Sequence, residues 1–165
     1  MLYNILFSFI NKRWKNLGKC ESLKVNNYKT GIKLSWAVPK STLLSILIPT
    51  KDNLDLLKGC IDSIFNYKSG LRFEIIVIDN NSKKTSTYNY YKKVEKKYKN
   101  LINIIYYKKP FNYSRINNFA FEFTKGDVLL FLNNDIEFIC NNWALELYSN
   151  AIRPEVGCVG AKLIY

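Results

Sequence analysis

The run Leu43-Leu44-Ser45-Ile46-Leu47-Ile48 is closed by Pro49 and followed by the polar segment Thr50-Lys51-Asp52-Asn53. A nearly unbroken apolar run of this length, ended by a residue that cannot donate a ladder hydrogen bond, reads as a strand covered on both faces. Just beyond it, Leu54, Leu57, Ile61, Ile64 and Phe65 recur at helical spacing across residues 53–67, with Asp52 or Asn53 placed as the N-cap. Residues 73–78 form a second continuous apolar strand, and the polar turn Asp79-Asn80-Asn81-Ser82 follows it.

The same alternation carries on toward the C-terminus. Residues 85–99 read as a Lys-rich helix with Tyr88, Tyr91, Val94 and Tyr98 on its inner side, and residues 101–107 as a third strand. Residues 114–125 read as a helix with Phe119 and Phe123 inward, ended by Gly126, and residues 128–132 as a fourth strand. A polar turn covers residues 133–137, a further helix residues 142–152, and a last strand begins at residues 156–161. Strands alternating with helices imply right-handed crossovers and an α/β architecture: a mostly parallel sheet with helices on both faces, incomplete at the C-terminus. Residues 1–40 show no clear period beyond a helix-like start and read as an N-terminal extension or linker; residues 41–165 read as the functional part.

Composition narrows the function classes. Lys plus Arg number 25 against 13 Asp plus Glu, and the resulting +12 favours anionic partners: nucleotide phosphates, nucleic acid or an acidic membrane surface. Many lysines crowd residues 83–109, and Lys92, Lys93, Lys96 and Lys97 on a helix form a solvated stripe. The aromatics fall mostly at core periodicity rather than between exposed basic residues, which speaks against a nucleic-acid-binding module and predicts no specific nucleic-acid partner. No histidine and no CxxC pair occurs among Cys20, Cys60, Cys140 and Cys158, so zinc sites and His-dependent nucleophile systems are not supported. Cys60 and Cys158 lie in apolar stretches and read as small core residues of a protein in a reducing, cytoplasmic compartment. The apolar residues 1–10 are too short to span a bilayer and lack a preceding basic region. With Lys12, Arg13, Trp14 and Lys15 behind them, they suit an interfacial helix giving peripheral contact at the inner membrane face, or a helix packed on the domain or on a partner.

In an open parallel sheet, ligands bind beyond the carboxyl ends of the strands. That rule selects four segments: 49–52, 79–82, 109–114 and 133–135. Asp79 and Asp135 each follow an apolar strand; the first could meet a ribose hydroxyl or base edge and the second a divalent cation, although both are also natural turn formers. No Gly-rich dinucleotide or P-loop motif is present, so a phosphate would be held by a cation on Asp135, with Mg²⁺ or Mn²⁺ the suitable ions.

Four linked segments resemble family 2 glycosyltransferases of the GT-A, Rossmann-like type. They are Leu44-Ser45-Ile46-Leu47-Ile48-Pro49-Thr50-Lys51-Asp52-Asn53, Glu74-Ile75-Ile76-Val77-Ile78-Asp79-Asn80-Asn81-Ser82, Asn117-Asn118-Phe119-Ala120 with Lys125-Gly126-Asp127 through Asn133-Asn134-Asp135, and Pro154-Glu155-Val156-Gly157-Cys158-Val159-Gly160-Ala161-Lys162-Leu163. Phe111-Asn112-Tyr113-Ser114 is most similar to bacterial enzymes that build surface polysaccharides. The resemblance implies that residues 41–165 form the nucleotide-sugar-binding part of the domain. Pro49, Thr50 and Asp52 would line the base and ribose pocket, Asp79 would contact the base, Asn81 and Ser82 would shape the turn, and Asn118 and Asn134 would lie near the sugar donor. Asp135 would hold the metal that bridges the diphosphate. The implied partners are a UDP-, GDP- or dTDP-sugar and a glycan or lipid-linked acceptor. Three departures stand out: Asn133 replaces the first acid of the DxD motif, Ala120 replaces a Gly, and the catalytic base is expected beyond Tyr165. The alternative is a truncated, non-catalytic nucleotide-sugar-binding domain.

Overall fold

The computed structural model describes the backbone of residues 23–28 and 31–161, and side chains from Trp36 to Ala161. The N-terminal residues predicted as an interfacial helix lie outside the described residues. The chain divides into two compact units, residues 42–143 and residues 1–41 with 144–165.

The first unit is built on a four-stranded sheet. Its strands are β3 (Leu43–Thr50), β4 (Arg72–Asp79), β5 (Ile102–Tyr106) and β6 (Val128–Phe131), in the spatial order β5-β4-β3-β6 and parallel throughout. Between them run α1 (Leu54–Asn66), α2 (Thr85–Lys97) and α3 (Tyr113–Phe121). The chain moves outward from β3 through β4 to β5, then returns across the sheet to β6 on the other side of β3. Right-handed crossovers therefore place α1 and α2 on one face and α3 on the other. Burial follows that division. Leu47, Ile76, Ile78, Ile105 and Tyr107 pack with Ile116 and Ala120 of α3. By the two-residue alternation of strands, Ile46, Ile48, Ile75 and Val77, all fully buried, face the opposite layer, where Leu57, Ile61, Ile64, Tyr91 and Val94 are buried. At about 25 cal/mol per Å² of apolar surface, each such side chain stabilises the fold by roughly 1.5–3 kcal/mol.

The turn before β6 explains a glycine. A Cβ at Gly126 would lie 2.6 Å from the Ser45 backbone nitrogen and 2.7 Å from the Leu43 carbonyl oxygen, so only hydrogen fits. That close approach lets Gly126 N–H donate to Ser45 Oγ (2.8 Å) and Asp127 N–H donate to the Leu43 carbonyl (2.9 Å), which pins β6 beside β3.

The second unit contains an antiparallel hairpin, β1 (Leu23–Tyr28) and β2 (Gly31–Trp36), in register from Leu23↔Trp36 to Tyr28↔Gly31. It occupies part of the stretch expected to be an extension or linker without a clear period. The alternation Ile32, Leu34, Trp36 with Lys33 and Ser35 between is a short period-2 pattern that accounts for β2. Also in this unit, the Arg153 guanidinium lies 4.8 Å from the centre of the Trp36 ring. The helix α4 (Trp143–Ala151) follows the predicted position.

Other elements depart from expectation. Residues 156–161 form no strand; Gly157 and Gly160 lower strand propensity there. The helix predicted over residues 114–125 ends at Phe121, leaving Phe123 at 41% exposure rather than inward. Cys158 is exposed, not a core residue, whereas Cys60 is buried. Lys92, Lys93, Lys96 and Lys97 form the expected solvated side of α2.

Candidate functional site

The reversal of strand order falls between β3 and β6, where the Thr50 and Asn133 turns part. A cleft of about 370 Å³ opens there. Its walls come from all four strand-tip segments: Pro49, Thr50 and Lys51; Asn80 and Asn81; Lys109, Pro110, Phe111 and Tyr113; Asn133 and Asn134. No carboxylate lines it, while two lysines, five amide side chains (those four and Asn53 at the head of α1) and two exposed aromatic rings do. That surface suits an anionic ligand carrying a flat, hydrogen-bonding ring, and its volume is in the range of small-molecule sites, ~300–1,000 Å³.

Reciprocal hydrogen bonds lock the first two turns together. Asp52 sits at φ 55° and Asn81 at φ 60°, left-handed conformations that short polar residues tolerate. The Asp52 backbone N–H donates to Ser82 Oγ (3.0 Å), and the Asp52 carboxylate accepts from the N–H groups of Lys83 (2.8 Å) and Lys84 (2.9 Å). The Lys84 N–H above all, then that of Lys83 and the charges of Lys84 and Lys51, hold the Asp52 carboxyl below its ordinary range. Asp52 is thus spent on the turn rather than on capping α1; Asn53 takes the N-cap position without a side-chain cap bond.

Asp79 is the most enclosed of the candidates, at 1% exposure. Its Oδ1 accepts from Ser82 N–H (3.0 Å) and its Oδ2 from the Tyr91 hydroxyl (2.8 Å). Burial, then the bond to Asp79, pushes the Tyr91 hydroxyl upward, so it remains a proton donor. The carboxylate of Asp79 does not line the cleft; its chain neighbours Asn80 and Asn81 do. Asn80, given no role of its own by the sequence pattern, is a hub: its Nδ2 donates to the carbonyls of Tyr107 and Lys109, both at 2.9 Å, and fixes the third turn to the second.

The fourth turn is held more lightly. Asn134 Nδ2 donates to Thr50 Oγ1 (3.0 Å), joining β6 to β3 across the cleft, and the Asn133 carbonyl accepts a long bond from the Cys60 thiol. Burial, with the nearby charges of Asp135 and Glu137, pushes that thiol up to about 12, so it is a protonated packing group. Asp135 itself is exposed. Asn118 is exposed on α3 and does not reach the cleft; Asn117 beside it is buried and donates to the Tyr113 carbonyl (2.9 Å).

Among the described residues, no group of three or more His, Cys, Asp or Glu side chains is gathered. A caged metal is therefore not supported. A single accessible carboxylate does fit a hard divalent cation that keeps several waters and shares a ligand's phosphate oxygens. No helix among the described residues is long and apolar enough to cross a membrane.

A parallel α/β domain with a cleft at the strand-order switch has the doubly wound architecture, in which that crevice is the general place for a ligand. The family model for glycosyl transferase family 2 matches residues 45–165, and the chain belongs to that family. The chain is 37% identical over 130 residues to the uncharacterized protein y4gI of Sinorhizobium fredii, covering 79% of this chain and 14% of that protein. It is 37% identical over 134 residues to the O-antigen biosynthesis protein RfbC of Myxococcus xanthus, covering 81% of this chain and 10% of that protein. The chain thus spans a small part of the curated relatives it matches. Among solved structures, the fold resembles the mannosyltransferase PcManGT of Pyrobaculum calidifontis in complex with GDP-Man and Mn²⁺, with TM-score 0.62, 17% identity, and coverage of 93% of this chain and 41% of that one. It also resembles GalNAc-T7 with UDP, GalNAc and Mn²⁺, with TM-score 0.59, 18% identity, and coverage of 68% and 21%.

Proposed function

We propose that this chain binds a nucleotide sugar at the β3–β6 cleft, and that the protein it represents transfers the sugar to a glycan or lipid-linked acceptor in cell-surface polysaccharide synthesis. The convergence of four strand-tip segments on one carboxylate-free cleft carries the reading. Thr50, Asn80 and Asn81 would offer hydrogen bonds to base and ribose, Phe111 or Tyr113 a stacking face, and Lys51 and Lys109 charge toward the phosphates. Asp79 would act by holding the Ser82 turn, and through it Asp52 and Asn81. Asn134 would keep the metal turn against Thr50, and Asn118 would serve only if the ligand reaches across α3.

Asp135 would hold Mn²⁺ or Mg²⁺ beside the diphosphate. A cation bound there supplies charge neutralisation of the departing nucleoside diphosphate. Asn133 adds no second charge, so water and phosphate oxygens would complete the shell. The family membership, the O-antigen relative and the Mn²⁺ and nucleotide complexes of the two structural neighbours support this reading.

The test is a calorimetric and thermal-shift screen of UDP-, GDP- and dTDP-sugars with and without Mn²⁺. Metal-dependent stabilisation by one nucleoside diphosphate class is expected, abolished by Asp135→Ala and weakened by Asp79→Ala. Equal binding by Asp135→Ala would remove the metal assignment.

A further inference from the structure

A second cavity, of about 540 Å³, lies beside the end of β5 and is lined by Tyr106, Tyr107, Lys108, Lys109, Arg115 and Phe119. Half of its lining residues are cationic, the other half aromatic, and none is acidic. Among the described residues, the side chains of Lys108, Lys109 and Arg115 enter no ion pair. The carboxylates of Glu95 and then Asp79 push the Tyr106 hydroxyl upward after burial does; Glu95 Oε1 accepts from the Ile104 N–H (3.2 Å), and the Asp79 oxygens accept from Ser82 N–H and the Tyr91 hydroxyl.

The walls are fixed. Tyr107 N–H donates to the Asp79 carbonyl (2.8 Å), and Asn80 Nδ2 clamps the carbonyls of Tyr107 and Lys109, so the two lysines stand on a braced segment. Arg115 sits in the first turn of α3, where its N–H is capped by Asn112 Oδ1 (3.0 Å). Tyr107 and Phe119 pack at 5.4 Å between ring centres, and Tyr106, 48% exposed, lies 6.4 Å from the Tyr88 ring in a stacked arrangement. A solvated lysine stripe needs none of this. The exposed lysines of α2 provide the contrast: Lys92 and Lys96 line neither of these two cavities.

Three unpaired cations over aromatic walls match one ligand chemistry. We propose that this cavity is a second anion site, which takes a phosphate ester whose apolar or aromatic substituent lies against Phe119 on the α3 side. The cations meet the dianion through charge-assisted bonds, with the Arg115 fork able to take two oxygens at once. The rings add area that inorganic phosphate cannot use. Lys109 also lines the β3–β6 cleft, so the two sites share one wall. The proposal stands without the nucleotide-sugar reading, because neither Lys108 nor Arg115 lines that cleft.

The experiment titrates phenyl phosphate and inorganic phosphate into the full chain by calorimetry at fixed ionic strength. It compares wild type with the Lys108→Gln/Arg115→Gln double variant and with Lys92→Gln/Lys96→Gln, which removes the same charge from α2. Expected is saturable binding with phenyl phosphate tighter than phosphate. Losing the two cavity cations should weaken it about tenfold or more, since charge-assisted bonds are the strong ones, while the α2 variant binds as wild type. Vesicles of phosphatidic acid in phosphatidylcholine identify the source. Flotation of wild type but not of Lys108→Gln/Arg115→Gln assigns the ester to a lipid headgroup; phenyl phosphate binding without flotation assigns it to a soluble ester. Equal weakening by both double variants would show diffuse charge attraction and overturn the site, as would the absence of saturable phenyl phosphate binding. All substituted side chains are exposed, so unchanged unfolding midpoints are expected to accompany either result.

Discussion

Asp79 and Asp135 look alike in sequence and differ in the fold. Each is an acid at the tip of an apolar strand, followed or preceded by asparagines. Asp79 is 1% exposed, with its two oxygens bonded to Ser82 N–H and the Tyr91 hydroxyl. Asp135 is exposed, on a turn tied down through its neighbours Asn133 and Asn134. The difference comes from position in the sheet. The Asp79 turn follows β4, which has strands on both sides and whose end is met by Tyr91 of α2; the Asp135 turn follows β6, the short strand at the edge of the described sheet. One acid is consumed in building the site, and the other is left available to a ligand.

That contrast predicts unequal responses to the same substitution. Asp79→Ala strands a buried hydroxyl and a backbone N–H, and is expected to cost about 3 kcal/mol, roughly 6–12 °C in the unfolding midpoint. Denaturant unfolding measures it; a loss no larger than that of an exposed-site variant would break the comparison. Tyr91→Phe keeps the ring and removes a single buried bond, so about 1–2 kcal/mol should be lost, together with weaker nucleotide binding because the Ser82 turn loosens. An unaltered nucleotide affinity would show that the Asp79–Tyr91 bond does not reach the cleft. Asp135→Ala should change stability by no more than about 0.5 kcal/mol, as expected of an exposed turn residue.

The smallest effect concerns pH at Asp52. Its carboxyl is lowered in the folded state from the ordinary 3.8. The stability it contributes is therefore complete above that value and fades as pH falls below it, through the depressed folded value. The difference in unfolding free energy between wild type and Asp52→Asn should stay flat from neutral pH down to the ordinary carboxylate range and shrink only below it. A difference that shrinks at higher pH would mean that the Lys83 and Lys84 N–H groups do not hold the carboxylate in solution.

The sheet was legible because β3 and β4 are continuous apolar runs, and a strand covered on both faces has little else it can be. The helices were legible through their 3.6-residue spacing, with ends displaced by a few residues where Phe123 continues the apolar pattern past the end of α3 at Phe121. The β1–β2 hairpin is less legible, although Ile32, Leu34 and Trp36 alternate with polar residues, because six-residue strands carry a weak signal beside the long apolar runs. The convergence of the four turns followed from the strand-tip rule alone. Which acid is enclosed and which is exposed did not, since that depends on Tyr91 arriving from a different element to claim Asp79. Nor did the hub role of Asn80, whose partners lie 27 and 29 residues away.

The most direct test adds Mn²⁺ to the chain saturated with its nucleoside diphosphate and maps paramagnetic broadening of backbone amide signals. Broadening centred on Asn133, Asn134 and Asp135, extending to Thr50 and absent in Asp135→Ala, is the predicted result. Signals lost instead around residues remote from the β3–β6 cleft, or broadening that survives intact in Asp135→Ala, would contradict a cation held at this strand tip.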